Sequence, residues 1–232
     1  MIWNSMSWDD IGVSTTTLTE LPLFPLGTVL FPGGVLPLRI FEVRYLDMIG
    51  RCWKEGRPFG VVSLTQGHEV RRPDATESFA QVGTLAHITH LEAPQPGLMM
   101  IRAVGGQRFR LAESRQLKHG LWTGAAETLP DDPEVAVPED LQPVARALGE
   151  VLTRLKAQMS AELTPEQAAR AELQFPFAEP WRLDDCAWVA NRWCELLPIG
   201  AVDKQRMMEL GSPLMRLELV GDWLTRRSRT TP

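Results

Sequence analysis

The sequence holds one tyrosine, three cysteines and four histidines in 232 residues, and each shortage excludes something. Cys52, Cys186 and Cys194 have neither metal-ligand nor redox spacing. Cys186 and Cys194 lie on one expected helix, too far apart along it for a disulfide. An odd count without a framework suits a reducing cytoplasm. His87 and His90 are the close histidine pair, but three apart on a strand they face opposite ways and cannot share a metal. Positive charge is also short. The formal net charge is −5, with residues 1–130 neutral and the acidic excess in the remainder, which argues against bulk phosphate binding. No apolar run approaches a membrane span. The N-terminus has no basic region and no apolar core, so no signal peptide is expected. Residues 1–19 are expected as a frayed tail, with Met1 and Met6 both candidate starts. A G-x-x-x-x-G-K-[ST] loop and a nucleophile elbow are missing. The expectation is therefore no cofactor, no metal, no catalytic residue and no enzyme.

What the chain does have is Leu21 to Tyr45, LPLFPLGTVLFPGGVLPLRIFEVRY. Short apolar runs broken by Pro and Gly predict short buried strands joined by tight turns. Leu21–Phe24, Thr28–Phe31 and Val35–Phe41 are the expected strands, with Pro32-Gly33-Gly34 as the turn between the last two. Pro25, Pro32 and Pro37 cannot donate to a ladder, so each belongs at a strand end, an edge or a bulge. At least one of Gly33 and Gly34 is expected to have positive φ. From Val43 the period becomes helical, ending near Gly56. Strands are then expected at Val61–Thr65, Val82–Leu91, Leu98–Val104, Gln107–Leu117 and Leu121–Leu129. Gln66–Phe79 is a polar loop, Pro94–Gly97 a hairpin turn and Gly105-Gly106 another turn.

Leu129 to Pro138 is rich in proline and acid and lacks periodicity, which predicts a linker. Beyond it the pattern is helical. Leu141, Val144, Leu148, Val151, Leu152, Leu155 and Met159 form one stripe of a long helix opened by Pro138. Thr164–Gln167 is a capping box. Asp184 is placed as the cap of a third helix, Ala201–Leu210 is a fourth with Gly211 after it, and Ser212-Pro213 starts the last. The fold class is therefore α+β: a curved, barrel-like β unit over residues 20–130 and a helical unit over residues 138–229.

These motifs resemble the N-terminal, substrate-binding domain of Lon proteases. The Leu21–Tyr45 run, Phe59-Gly60-Val61-Val62, Gly83-Thr84-Leu85-Ala86-His87-Ile88, Gly105–Leu111 and the segments around Leu196–Ile199 and Pro213–Leu217 stand in the family's order over roughly residues 20 to 228. The resemblance implies a PUA-like pseudo-barrel followed by a helical bundle. It also implies binding of unfolded or flexible polypeptide segments, with protease or chaperone components as candidate partners. The sequence ends where a Lon protease would continue into its ATPase, so a complete Lon protease is not expected.

Two readings of the function lead, ahead of an enzyme with an unrecognised site. The first is a non-catalytic polypeptide-binding adaptor, using strand edges and an apolar groove between the two units. Its candidate contact residues are Phe175, Phe177 and Trp181 from an aromatic connection, with Trp122 and the Leu30–Phe31 edge. The same aromatic segment could instead pack the helices onto the sheet. The second is an RNA-binding module of PUA-like fold using Arg102, Arg108, Arg110 and Lys118, against which the acidic balance counts. Gly33, Gly34, Arg39, Phe41, Glu42, Tyr45, Arg108 and Phe109 are expected to be structural residues of the motifs, with Glu42 paired to an arginine and Tyr45 a core anchor.

Overall fold

The structure, a computed structural model, describes residues 15–67, 77–160, 175–177 and 179–228. Among the described residues, short buried apolar runs and alternating stretches build seven strands: β1 (Thr17–Leu26), β2 (Val35–Ile40), β3 (Phe59–Gln66), β4 (Ser78–Phe79), β5 (Val82–Gln95), β6 (Leu98–Gln116) and β7 (Trp122–Thr128). They pair in the order β1-β7-β6-β5-β3-β4, β2 adds to β6, and a parallel β1–β3 pairing closes the sheet on itself. This closure removes most of the edges a curved sheet would otherwise expose. Helix α1 (Val43–Glu55) plugs one end, and its C-cap Gly56 takes the left-handed conformation at φ 64°. A 3-10 turn (Glu139–Leu141) leads into α2 (Gln142–Ser160), followed by α3 (Cys186–Leu196), α4 (Ala201–Glu209) and α5 (Pro213–Ser228). The α+β expectation holds, and the sheet-then-helices order is as read.

Several local expectations need correction. β1 begins at Thr17, inside the segment expected as a tail, because Thr16 and Thr17 pair with Thr128 and Glu127 of β7. Thr28–Phe31 is not a strand. Its Leu30 carbonyl instead accepts from the buried Thr84 hydroxyl at 2.6 Å. Gly105-Gly106 is not a turn but the middle of the 19-residue strand β6. The glycine is there for close approach: a Cβ on Gly105 would meet the Phe31 carbonyl oxygen at 2.3 Å. Gly105 accepts from Gly33 N at 2.7 Å and donates to the Gly34 oxygen at 2.8 Å, so it seats the Pro32–Gly34 turn.

The cap of α3 is Asp185, not Asp184; its carboxylate accepts from Trp188 N at 2.9 Å. α4 ends at Glu209 with Leu210 as its C-cap at φ −61°, and Gly211 follows the cap as expected but without a positive φ. Pro138 stands before the 3-10 turn rather than inside α2. The expected capping box at Thr164–Gln167 and most of the Gln66–Phe79 loop lie outside the described residues.

The linker is an extended segment tied to the helices. Val137 N donates to the Asp184 oxygen and Cys186 N to the Val135 oxygen, at 2.9 and 2.8 Å. Asp132, 8% exposed at its side chain, lies between Arg108 of β6 and Arg216 of α5. Arg108 donates to the Asp132 carboxylate at 2.9 Å and to the carbonyls of Met208 and Leu210 at the end of α4. Arg216 donates to Asp132 at 2.7 Å, to the Asn191 amide oxygen at 2.7 Å, and to the carbonyls of Met207 and Leu210. Two buried cations around one carboxylate are tolerable only because their remaining N–H groups reach carbonyl or amide oxygens. This clamp fixes the helical unit on the sheet.

Among the described residues, three apolar clusters fill the interior. One lies among α2, α3, α4 and α5 and takes in Val29, Phe31 and Val82 from the sheet side. A second joins α1 to the sheet, with Tyr45 stacked on Phe24 at 4.0 Å between ring centroids. The third surrounds Phe109, which is fully buried.

Candidate functional site

The sheet and the helices meet along a groove lined by Thr28, Val29, Leu30, Val35 and Leu36 on one side and Leu155, Pro176, Phe177, Glu195, Leu196 and Lys204 on the other. Its volume is roughly 420 Å³, room for one or two large side chains. Each wall has a local cause. On the sheet side, the chain from Thr28 to Phe31 leaves the ladder, and the Thr84 hydroxyl and the Gly105 contact hold its turn in place. On the helical side, Phe177 is 4% exposed and meets Phe175 edge-on at 5.6 Å. Phe175, at 5%, packs behind it in the helical core.

The polar end of the groove is built by α3 and α4. Arg192, 1% exposed, donates to the Pro32 carbonyl at 2.9 Å and to Glu195 Oε1 at 2.8 Å. Glu195 keeps 19% of its side-chain exposure. Burial pushes its carboxyl up to about 7, although the Arg192 guanidinium and then the Lys204 ammonium pull the other way. Lys204 Nζ donates to the Glu195 main-chain oxygen at 2.9 Å. It thereby caps the last turn of α3, where positive charge is favourable. Among the described residues no group of His, Cys, Asp and Glu could hold a metal ion. An apolar groove with one carboxyl and one ammonium at its end can hold a side chain and orient a backbone.

The expected contact residues are distributed unevenly. Leu30 and Phe177 line the groove. Phe31 and Phe175 are buried behind its walls and do not line it, so they are not an exposed patch. Trp181 is half-buried and packs against the helical core away from the lining. Trp122 belongs to another part of the sheet, where its ring meets Phe79 edge-on and its indole donates to Glu77 at 2.7 Å. The strand-edge route is also narrowed. Gly34 and Gly105 form a hydrogen-bonded pair, so alternation turns the backbone of Val35, Pro37 and Arg39 outward from β6. Pro37 leaves that outer edge without its central donor.

Beyond Leu30 and Phe177, the groove residues that the sequence did not mark as contacts include Val29, Val35, Leu36, Leu155, Leu196, Glu195 and Lys204. By pattern, Leu155 and Leu196 belong to apolar helix stripes. Nothing local marks Glu195, whose environment is made by the distant Pro32–Gly34 turn.

The motif residues sit as follows. Gly33 has φ 73°. Gly34 does not, but a Cβ on it would lie 2.3 Å from Glu195 Oε1. Glu42 accepts from Arg44 Nε at 3.0 Å, and Arg44 also donates to the Gly120 oxygen at 2.7 Å. Arg39 is exposed, and so is Phe41 at 58%. Arg108 is committed to the clamp, which removes it from the RNA patch. Burial lowers its pKa, with Asp132 opposing. Arg102 is half-buried, and Arg110 and Lys118 are exposed.

Other concavities mark the described surface. One, of roughly 630 Å³, lies along α4 and α5 and is lined by Leu197, Ile199, Met207, Leu219, Val220 and Trp223 with Asp203, Arg226 and Arg227. Another, of roughly 230 Å³, lies between α1 and β7 and has a charged rim including Arg51, Glu55 and Arg115.

A closed sheet carries the helices on one side, with an apolar groove at their junction. Residues 20–226 match the family described as the ATP-dependent protease La (LON) substrate-binding domain, and the chain belongs to that family. A Lon N-terminal domain protein from Xanthomonas campestris is similar in structure, with a TM-score of 0.65 and 28% identity over 89% of this chain and 99% of that one. The N-terminal domain of Mycobacterium avium complex Lon protease shares the fold at a TM-score of 0.55 and 14% identity, covering 89% of this chain and 98% of that one. In sequence, the Lon protease of Anaeromyxobacter dehalogenans (strain 2CP-C) is 28% identical over 89% of this chain and 23% of its own length. The protein cereblon of Danio rerio is 30% identical over 50% of this chain and 26% of its own. The chain thus spans about a quarter of the length of these two relatives.

Proposed function

We propose that this protein holds flexible polypeptide segments in the groove between the sheet and the helices, without catalysis, as an adaptor or chaperone-like module. The observation that carries the reading is the groove itself: aliphatic walls from two separate units, Val29, Leu30, Val35 and Leu36 facing Leu155, Phe177 and Leu196. Domain junctions favour such sites. Membership of a substrate-binding family supports the same assignment. The three cysteines are free and buried, which suits work in a reducing cytoplasm. Protease or chaperone components are the partners that fit an adaptor of this kind.

RNA is the weaker reading. Without Arg108 the proposed patch is reduced to Arg102, Arg110 and Lys118, on a chain of net charge −5. The test is fluorescence anisotropy with a labelled, permanently unfolded polypeptide and with a single-stranded RNA of similar length. Binding of the polypeptide, weakened about tenfold or more by Leu36→Asp in a protein that still unfolds cooperatively, supports the reading. Binding of RNA alone overturns it.

A further inference from the structure

The groove carries a charge asymmetry that says which polypeptide segments fit it. Three charged side chains stand at its end: Arg192, Glu195 and Lys204. The Glu195 carboxylate is taken by Arg192, whose guanidinium is fully buried. Lys204 is left with a main-chain carbonyl as its hydrogen-bond acceptor, and among the described residues no carboxylate forms an ion pair with it. Its neighbour Asp203 turns the other way, to Arg206 at 3.5 Å. On the helical wall, Lys156 next to Leu155 is paired with Glu179 at 2.6 Å. The sheet-side lining residues, Thr28, Val29, Leu30, Val35 and Leu36, bring no charge. The end of an otherwise apolar groove is therefore positive by one unit when Glu195 is ionised, and by more when it is not. Burial of the Glu195 carboxyl pushes it toward the second state.

We infer that the groove selects extended segments in which a bulky apolar side chain stands beside an acidic one, the apolar group lying between Leu36 and Phe177 and the carboxylate reaching Lys204. This rests on the groove being the polypeptide site. A carboxylate there meets a cation flanked by apolar walls, where a charge-assisted hydrogen bond is strengthened by the partial exclusion of water. A basic residue in the same place would meet Lys204 and Arg192 without a carboxylate left to balance it, an arrangement that rejects as well as selects.

The experiment uses three labelled peptides that share one leucine-containing segment and differ at the following residue: Glu, Gln or Lys. Affinities are measured for the wild-type chain and for Lys204→Glu and Lys204→Gln. The expected order for the wild type is Glu, then Gln, then Lys, with about tenfold between the first two, the gain of a charge-assisted bond. Lys204→Gln should remove that preference. Lys204→Glu should invert it, so that the Lys peptide binds best. Inversion cannot come from damage to the fold, because a misfolded variant loses all three peptides together. Loss of all three in both variants is checked with Lys204→Arg, which keeps the charge and should restore the wild-type order. If all three peptides bind the wild type equally, or the order survives Lys204→Glu, the inference is overturned while the groove stands. If Leu36→Asp leaves every affinity unchanged, the groove itself is wrong.

Discussion

Arg192 donates from Nη2 to the carbonyl oxygen of Pro32 at 2.9 Å, across 160 positions of sequence. The bond fixes α3 to the turn that joins the two sheet-side stretches lining the groove, Thr28–Leu30 and Val35–Leu36. The groove is thus set by a few long-range polar contacts laid over apolar packing, and the Arg108–Asp132–Arg216 clamp does the same where α4 ends.

Asp132→Asn should be among the most destabilising polar substitutions in the chain. It removes the charge that balances two buried guanidinium groups, and breaking such an arrangement costs about 3 kcal/mol or more. Urea unfolding should report this as a lower midpoint. It should also broaden that transition, because the clamp is one of the contacts, with the Arg192–Pro32 bond and the shared apolar cluster, that couple the sheet to the helices. A loss below about 1 kcal/mol with an unchanged single transition contradicts this account of the clamp.

Gly105→Ala and Gly33→Ala should both destabilise, for different reasons. Alanine at Gly105 drives a methyl into the Phe31 carbonyl, an overpacking cost of roughly 1–3 kcal/mol. Alanine at Gly33 must adopt φ near 73°, at roughly 1–2 kcal/mol. Gly97, with φ 77° and open space around it, serves as the control for strain without contact. If Gly105→Ala costs less than Gly97→Ala, the close approach is not what selects glycine in β6.

Most of the architecture was legible because it rests on local pattern. The helix from Val43 to Gly56 and the start of α5 at Ser212-Pro213 follow from periodicity, a glycine stop and a proline start. What was not legible depends on distant contacts. Gly105-Gly106 resembles a turn until the Phe31 carbonyl is seen to press on it. Arg108 resembles a solvated strand residue until Asp132 and the end of α4 close over it. Phe175 and Phe177 belong to one aromatic segment, yet only Phe177 reaches the groove, a distinction that α2 and α3 impose and the segment itself does not encode. Glu195 carries no local sign of its role.

Glu195 predicts a pH dependence of stability. Its carboxyl lies at about 7 in the folded chain against an ordinary 4.5. Between those values the folded state holds a proton that the unfolded state has released, so stability falls as pH rises through the window and levels off above about 7. A tenfold change in proton affinity is worth about 1.4 kcal/mol, which bounds the effect at roughly 3 kcal/mol. Glu195→Gln has no carboxyl to titrate. The stability of the wild type minus that of the variant should therefore decrease from pH 5 to pH 7 in denaturant titrations. A difference that stays flat or increases contradicts the raised value.

Trp181→Ala separates folding from binding. The indole packs on the helical core and does not line the groove. Truncating it should cost roughly 2–3 kcal/mol and lower the melting temperature. Peptide affinity per folded molecule should stay within about twofold, since no contact to the ligand is removed. An unchanged melting temperature with lost affinity would place the ligand against Trp181 and away from the groove described here.

The most direct test is methyl NMR of the isotope-labelled chain as a leucine- and glutamate-containing peptide is added. The account predicts saturable shifts confined to Val29, Leu30, Val35, Leu36, Leu155 and Leu196. The α4–α5 concavity should stay silent. Shifts concentrated at Leu197, Ile199, Met207, Leu219 and Val220, with Leu30 and Leu36 unmoved, would contradict the central claim and assign polypeptide binding to the helical face.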